Sequence, residues 1–226
     1  MPRVMAHEIM DDPAQSEADF AAALDGLSTL NRITFAHRPL LGFLDRLVTK
    51  EGMTSLSLLD VGAGGGDALS AVAAWGAKRG IGVDLWGLDR SPWAEPYARA
   101  HAVPARWITA DLFDLPAERR FDVVICSLFA HHLDDATMVR FLRWLPRHAT
   151  RRWLILDLHR HWIAWSAVWV GTRLMRMHPM VIHDGPISVN RAFKGDELHR
   201  LVTEAGISAE VRWVVPFRWA VSGPGE

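Results

Sequence analysis

Apolar and polar positions along the chain follow two rhythms. Residues 16–30 and 39–49 place Ala, Leu and Phe at three- and four-residue spacing, the period of a helix with one buried face. Short apolar runs then recur at 56–61, 83–88, 106–110, 121–127 and 152–158, as expected of strands buried on both faces. Helix-period segments separate them at 67–78, 92–101 and 134–145, the last with Met138, Phe141, Leu142 and Leu145 on one face. Ser91 reads as an N-cap before Pro92 at the first helical position. This alternation implies right-handed crossovers and a parallel sheet covered by helices on both faces. The ending differs. A helix over 196–205 stops at Gly206, and the strand-like segments 208–215 and 217–221 flank Pro216 closely enough to predict an antiparallel hairpin. Residues 1–15 show neither rhythm and read as a loose terminus.

The first strand ends at Asp60 and opens into a loop with glycines at 62, 64, 65 and 66 before the next helix. Glycines there remove the Cβ atoms that would keep a nucleotide-like ligand from the backbone. A dinucleotide fingerprint would place Gly or Ala where this chain has Asp67, so the spacing is G-x-G-x-G. In open parallel sheets, ligands sit beyond the carboxyl ends of the strands. The second strand presents Asp89, followed by Arg90, at an offset where a carboxylate can accept both ribose hydroxyls. The third presents Asp111 and Leu112, and the fourth Ser127, Leu128 and Phe129. An acid at a strand end also caps turns, so Asp89 and Asp111 gain weight only by standing in register with the glycine loop.

These four strand ends, in this order, resemble the class I S-adenosylmethionine-dependent methyltransferases over residues 55–221, with small-molecule, quinone-biosynthesis-like members nearest in pattern. The resemblance implies a Rossmann-like α/β fold: a seven-stranded, mostly parallel sheet ending in an antiparallel hairpin. Residues 1–50 would form an N-terminal helical cap, and residues 51–226 the methyltransferase domain, with 159–193 inserted on the substrate side. It implies S-adenosyl-L-methionine as cofactor. Gly62, Gly64 and Gly66 would pass beneath its methionine part, Asp89 with Arg90 would hold the ribose, Asp111 and Leu112 the adenine, and Ser127 the methionine end. Asp60 would orient the loop.

A sulfonium methyl is already activated, so the protein must align the acceptor and, for a hydroxyl, remove a proton. His131, His132 and His159 lead the candidate bases, with His161 and His183 in the same cluster, because imidazole titrates near neutrality. A histidine in the segment S-L-F-A-H-H-L-D-D also serves as a helix cap, and that reading stays open. The chain lacks the D/N-P-P-Y/F motif of nucleobase amine methylation, carrying Cys126-Ser127-Leu128-Phe129 instead, which favours transfer to oxygen, then carbon. Trp162, Trp165 and Trp169 recur on one helical face, and with Met175 or Met177 and His183 they are candidates to line an apolar substrate pocket. A packed core or a membrane-surface helix would give the same stripe. His183-Asp184-Gly185-Pro186 reads as a turn, or a gate over the site. Asn31 and Arg32 are further candidates to reach the ligands.

Composition narrows the partners. In 226 residues the formal charge is -1, and no basic stripe points to nucleic acid. The single cysteine, Cys126, excludes an intrachain disulfide and fits a reducing, cytoplasmic setting. No secretory signal and no transmembrane segment is read, although peripheral membrane contact stays open. No His/Cys/Asp set has zinc-site spacing, so no metal is expected. The expected partner is a small hydrophobic acceptor, phenolic or polyketide, as in secondary metabolism. A fold-retaining binder without turnover and a macromolecule methyltransferase are the alternatives.

Overall fold

The computed structural model describes residues 1–12 and 16–226. Seven strands form one sheet in the order β3-β2-β1-β4-β5-β7-β6. They are β1 (Ser55–Val61), β2 (Gly82–Asp89), β3 (Arg106–Thr109), β4 (Phe121–Ser127), β5 (Ala149–Leu158), β6 (Glu210–Val214) and β7 (Arg218–Pro224). Strands β1 to β5 are parallel, and β7 runs antiparallel to both β5 and β6. The expected hairpin is therefore present, with a cis Val215–Pro216 bond in its turn.

The two-residue period of the strands sorts their side chains between two core layers. Leu59, Val124, Cys126 and Trp153 face α5 (Asp135–His148) and α8 (Gly195–Ala205), whose Phe141, Leu142, Leu145 and Leu201 are buried. Leu58, Val123, Ile125 and Leu154 face α2 (Arg38–Glu51) and α3 (Asp67–Arg79), which contribute Leu44, Leu47, Leu69 and Val72. Of the two N-terminal helices, α1 (Glu17–Ile33) lies over the carboxyl ends of the strands, with Phe20, Leu24 and Leu27 facing the cleft. Helix α2 instead belongs to the layer on the sheet, because Leu40, Phe43, Leu44 and Leu47 give it a wide apolar stripe.

Three expectations are corrected by the structure. Residues 1–12 are not loose: Asp184 accepts hydrogen bonds from the N–H groups of Ile9 and Met10, both at 2.9 Å, and Glu8 is buried. Arg3 donates to Leu133 O at 2.6 Å and lies over the Phe193 ring. Residues 13–15 of that expectation lie outside the described residues. Secondly, His183-Asp184-Gly185-Pro186 is neither turn nor gate but the middle of α7 (Pro179–Arg191), which packs on α6 (Trp162–Leu174). Gly185 permits that approach, since a Cβ there would stand 2.8 Å from Val168. The fourth helix, α4 (Ala94–Ala100), starts later than its capping signal suggested: Ser91 Oγ accepts from Trp93 N in the turn before it.

Candidate functional site

Strand order reverses at β1 and β4, and the crevice beyond their ends opens into a cavity of about 890 Å³. One end of it is the glycine loop. Gly62 and Ala63 donate to Leu88 O at 2.8 and 3.2 Å, and Gly64 donates to Asp89 Oδ2 at 2.8 Å, so the loop is laced to the end of β2. Asp89 Oδ1 accepts from Ser91 N at 2.8 Å, and Asp111 Oδ1 from Phe113 N at 2.9 Å. Both acids thus cap turns and line the cavity as well. Burial pushes the Asp89 carboxyl up, opposed by the N–H groups of Ser91 and Gly64.

Asp60, Gly62, Gly64, Arg90, Leu112 and Ser127 also line the cavity. Gly66 caps α3 at a left-handed φ of 75°, behind the lining. The fit to a cofactor rests on two features. Asp60 is fully buried, and its Oδ1 has no hydrogen-bond partner at the cavity wall. Burial beside Asp67 and Asp89 pushes its carboxyl well above the usual range, and the unpartnered oxygen is free to accept a hydrogen bond from a ligand. Gly64, at φ 52°, faces open space apart from Leu24 at ordinary contact distance.

The other end is a polar pole built by the turn after β4, the end of β5, α7 and the N-terminal segment. Asp157 accepts from His131 N at 2.7 Å and pairs with His131 Nδ1 at 2.8 Å. Burial opposes its charge, yet the His131 imidazole and the N–H groups of Leu158 and His131 hold the Asp157 carboxyl below the ordinary range. Nδ1 of His131 is thereby the protonated nitrogen, and Nε2 is directed towards Glu8, 3.9 Å from its Oε1. His132 Nδ1 lies 3.0 Å from Asp11, and Arg191 Nη1 bonds Asp11 at 2.8 Å. Burial pushes the Glu8 carboxyl up, with His132 and Arg191 opposing. Arg218, buried in the wall, donates to Thr34 Oγ1 at 3.2 Å, and its Nε has no partner.

Of the histidines named from sequence, His131 and His132 line the cavity; His159 does not, being packed among Phe217, Trp219 and Trp213 behind the hairpin. The tryptophan stripe is likewise turned away. Trp162 is 64% exposed and Trp169 41%, and Trp165 stacks on Trp169 at 6.3 Å. The face of α6 that meets the cavity carries Val168 instead, because Ala164 and Thr172 pack inward with it. Met175 is exposed, whereas Met177 packs beside Met180 and Val181. His183, half exposed, pairs with Asp184 at 2.7 Å outside the cavity. Asn31 holds Asp67 at 2.8 Å, while Arg32 points to solvent. We therefore expect Trp165→Ala to leave the acceptor's KM unchanged within about twofold, a surface-type effect checked by steady-state kinetics.

Sequence reading missed Glu8, Asp11, Asp157, Arg191 and Arg218, and took Asp184 for part of a turn or gate. Asp157 alone had a local signal, as the polar residue near the end of the fifth apolar run. The others reach the pole through contacts spanning most of the chain.

A family model described as a methyltransferase domain matches residues 58–151. The ubiquinone biosynthesis O-methyltransferase of Thiobacillus denitrificans (strain ATCC 25259 / T1) is 28% identical over 171 residues, covering 72% of this chain and 68% of that protein. The plantazolicin methyltransferase BpumL, solved with a desmethylPZN analog and SAH, superposes with a TM-score of 0.65 at 16% identity, over 93% of this chain and 96% of that one. Magnesium protoporphyrin IX methyltransferase (ChlM) from Synechocystis PCC 6803, with bound SAH, gives 0.55 at 17% identity, covering 85% and 84%. Among the described residues no helix is long and apolar enough to cross a membrane. Domain match and fold agree: residues 58–151 of this chain carry a methyltransferase domain, set within a Rossmann-like, seven-stranded sheet.

Proposed function

We propose that the cavity binds S-adenosylmethionine at the glycine-loop end and methylates the oxygen of a small, largely apolar acceptor at the polar pole. The observation that carries this reading is one cavity joining the glycine loop to a buried Asp157–His131 pair. S-adenosylmethionine would supply a methyl group already activated on sulfonium. Asp89 would take its ribose and Asp111 its adenine, and the orphaned Asp60 oxygen a donor on its methionine part; all three line the cavity.

Phe20, Leu24, Leu27 and Met180 give the acceptor an apolar berth between α1 and α7. His131 Nε2 takes the proton of the acceptor's hydroxyl as the oxygen takes the methyl, and Asp157 stabilises the imidazolium that forms. Alignment of the oxygen with the methyl supplies the larger part of the rate, about 7–11 kcal/mol when well achieved. The O-methyltransferase relative supports oxygen over carbon.

The test is ligand-linked stability. At about 100 times its Kd, S-adenosylhomocysteine should stabilise the native state by about 2.7 kcal/mol and raise Tm by roughly 5–10 °C. Asp89→Ala should abolish most of that rise. An unchanged Tm for the unmutated chain would remove the cofactor assignment.

A further inference from the structure

We propose that Glu8, His131 and His132 form a binding site for a divalent transition-metal ion such as Zn²⁺ or Co²⁺. Their ligand-capable atoms all lie within 4.8 Å of one another. His131 Nε2 stands 3.9 Å from Glu8 Oε1, and His132 Nε2 stands 3.8 Å from Glu8 Oε2. Glu8 is 3% exposed, and its Oε1, the oxygen towards His131, has no hydrogen-bond partner.

A second observation is independent of these distances. A metal-binding histidine usually gives its other ring nitrogen to a carboxylate, which fixes both tautomer and orientation. Here both do so. His131 Nδ1 is on Asp157 at 2.8 Å, and His132 Nδ1 is on Asp11 at 3.0 Å. The protons therefore sit on Nδ1, and two Nε2 lone pairs converge on a carboxylate. The rings lie 4.3 Å apart, so one ion can reach both.

Two imidazole lone pairs and a carboxylate converge with only Arg191 Nη1 beside them, 3.3 Å from Glu8 Oε1 and already bonded to Asp11, so a cation can take the space between the rings and Glu8. Bonds of about 2.0–2.2 Å to zinc would require the ligands to close by roughly half an ångström each. Arg191 Nη1, 3.3 Å from Glu8 Oε1, would keep Asp11 and yield Glu8 to the ion. Charge allows this. Glu8, Asp11, Asp157 and Asp184 outnumber Arg191, Arg218 and the exposed Arg90 at this pole, while Arg3 is paired with Asp135. Two imidazoles with one carboxylate suit zinc or cobalt, whereas magnesium favours an all-oxygen set.

The consequence for turnover rests on the function proposed above: the lone pair that takes the acceptor's proton is the one the ion occupies, so the ion inhibits. Isothermal titration of the full chain with Zn²⁺ and Co²⁺, without donor or acceptor, reads binding apart from catalysis. One ion per chain is expected. Glu8→Gln and His132→Ala should each weaken it at least 100-fold, and Asp11→Asn about 10- to 100-fold. Retained stabilisation by S-adenosylhomocysteine shows each variant to be folded, and the visible spectrum of bound Co²⁺ should lose its nitrogen-ligand signature in His132→Ala. No binding by the unmutated chain, or equal binding by folded Glu8→Gln, overturns the site. Turnover should fall with Zn²⁺ occupancy and return with chelator. Binding without inhibition would keep the site and overturn His131 as proton acceptor.

Discussion

His131→Ala is expected to lower kcat about 10²- to 10⁴-fold, the range of a lost general base, with S-adenosylhomocysteine binding unchanged. The variant should fold. Asp157 keeps hydrogen bonds from the backbone N–H groups of residue 131 and Leu158, so its buried charge is not stranded when the imidazole goes. His132→Ala should cost less, because His132 is held by Asp11 on the N-terminal segment and lacks the Asp157 contact. Asp157→Asn provides the discriminating arm. An amide there can turn its oxygen or its NH₂ towards Nδ1, weakening control of the tautomer, and kcat should fall while KM for the acceptor stays near that of the unmutated chain. Equal kcat in His131→Ala and the unmutated chain would move the proton acceptor elsewhere. Rate measurements at saturating donor across pH 6–9 would supply the comparison.

The sheet was legible because its central strands β1, β4 and β5 are largely buried on both faces and announce themselves as apolar runs, as 121–127 does in F-D-V-V-I-C-S. The glycine loop and the acids at the ends of β2 and β3 were legible for a related reason: strand ends are local, and the cofactor half of this fold is read strand by strand. The acceptor half is not local. Glu8 and Asp11 reach the pole because Asp184, far along the chain, holds the N–H groups of Ile9 and Met10. No periodicity of residues 1–12 could have shown that anchor.

The D-G-P sequence misled in the opposite direction. Gly185 and Pro186 are turn residues by propensity, but within α7 the glycine is needed for close packing against Val168. The tryptophans misled because spacing on a helix gives a face without saying where that face points. Small Ala164 and Thr172 are what α6 turns inward, and the indoles are left outside.

Gly62→Ala should destabilise the native state by about 2–5 kcal/mol, measured by urea unfolding. Two causes contribute and can be separated. At φ 69° an L side chain is strained by about 1–2 kcal/mol. The added methyl would also stand 2.5 Å from Phe129 Cγ and 2.8 Å from its Cβ, so the ring cannot escape by rotation alone, and overpacking of this kind costs about 1–3 kcal/mol. In a Phe129→Gly background, which removes the Cβ as well as the ring, the second cost should vanish and the first remain, leaving about 1–2 kcal/mol for the same substitution. Equal costs in both backgrounds would rule out the contact. Phe129 stacks on His132 at 5.9 Å and meets Phe141 edge-on at 6.4 Å. Pushing it aside therefore disturbs the polar pole as well as the loop, and Gly62→Ala should reduce kcat even where S-adenosylhomocysteine still binds. The absence of one Cβ at the glycine loop thus lets Phe129 connect the donor end of the cavity to the histidines at the other.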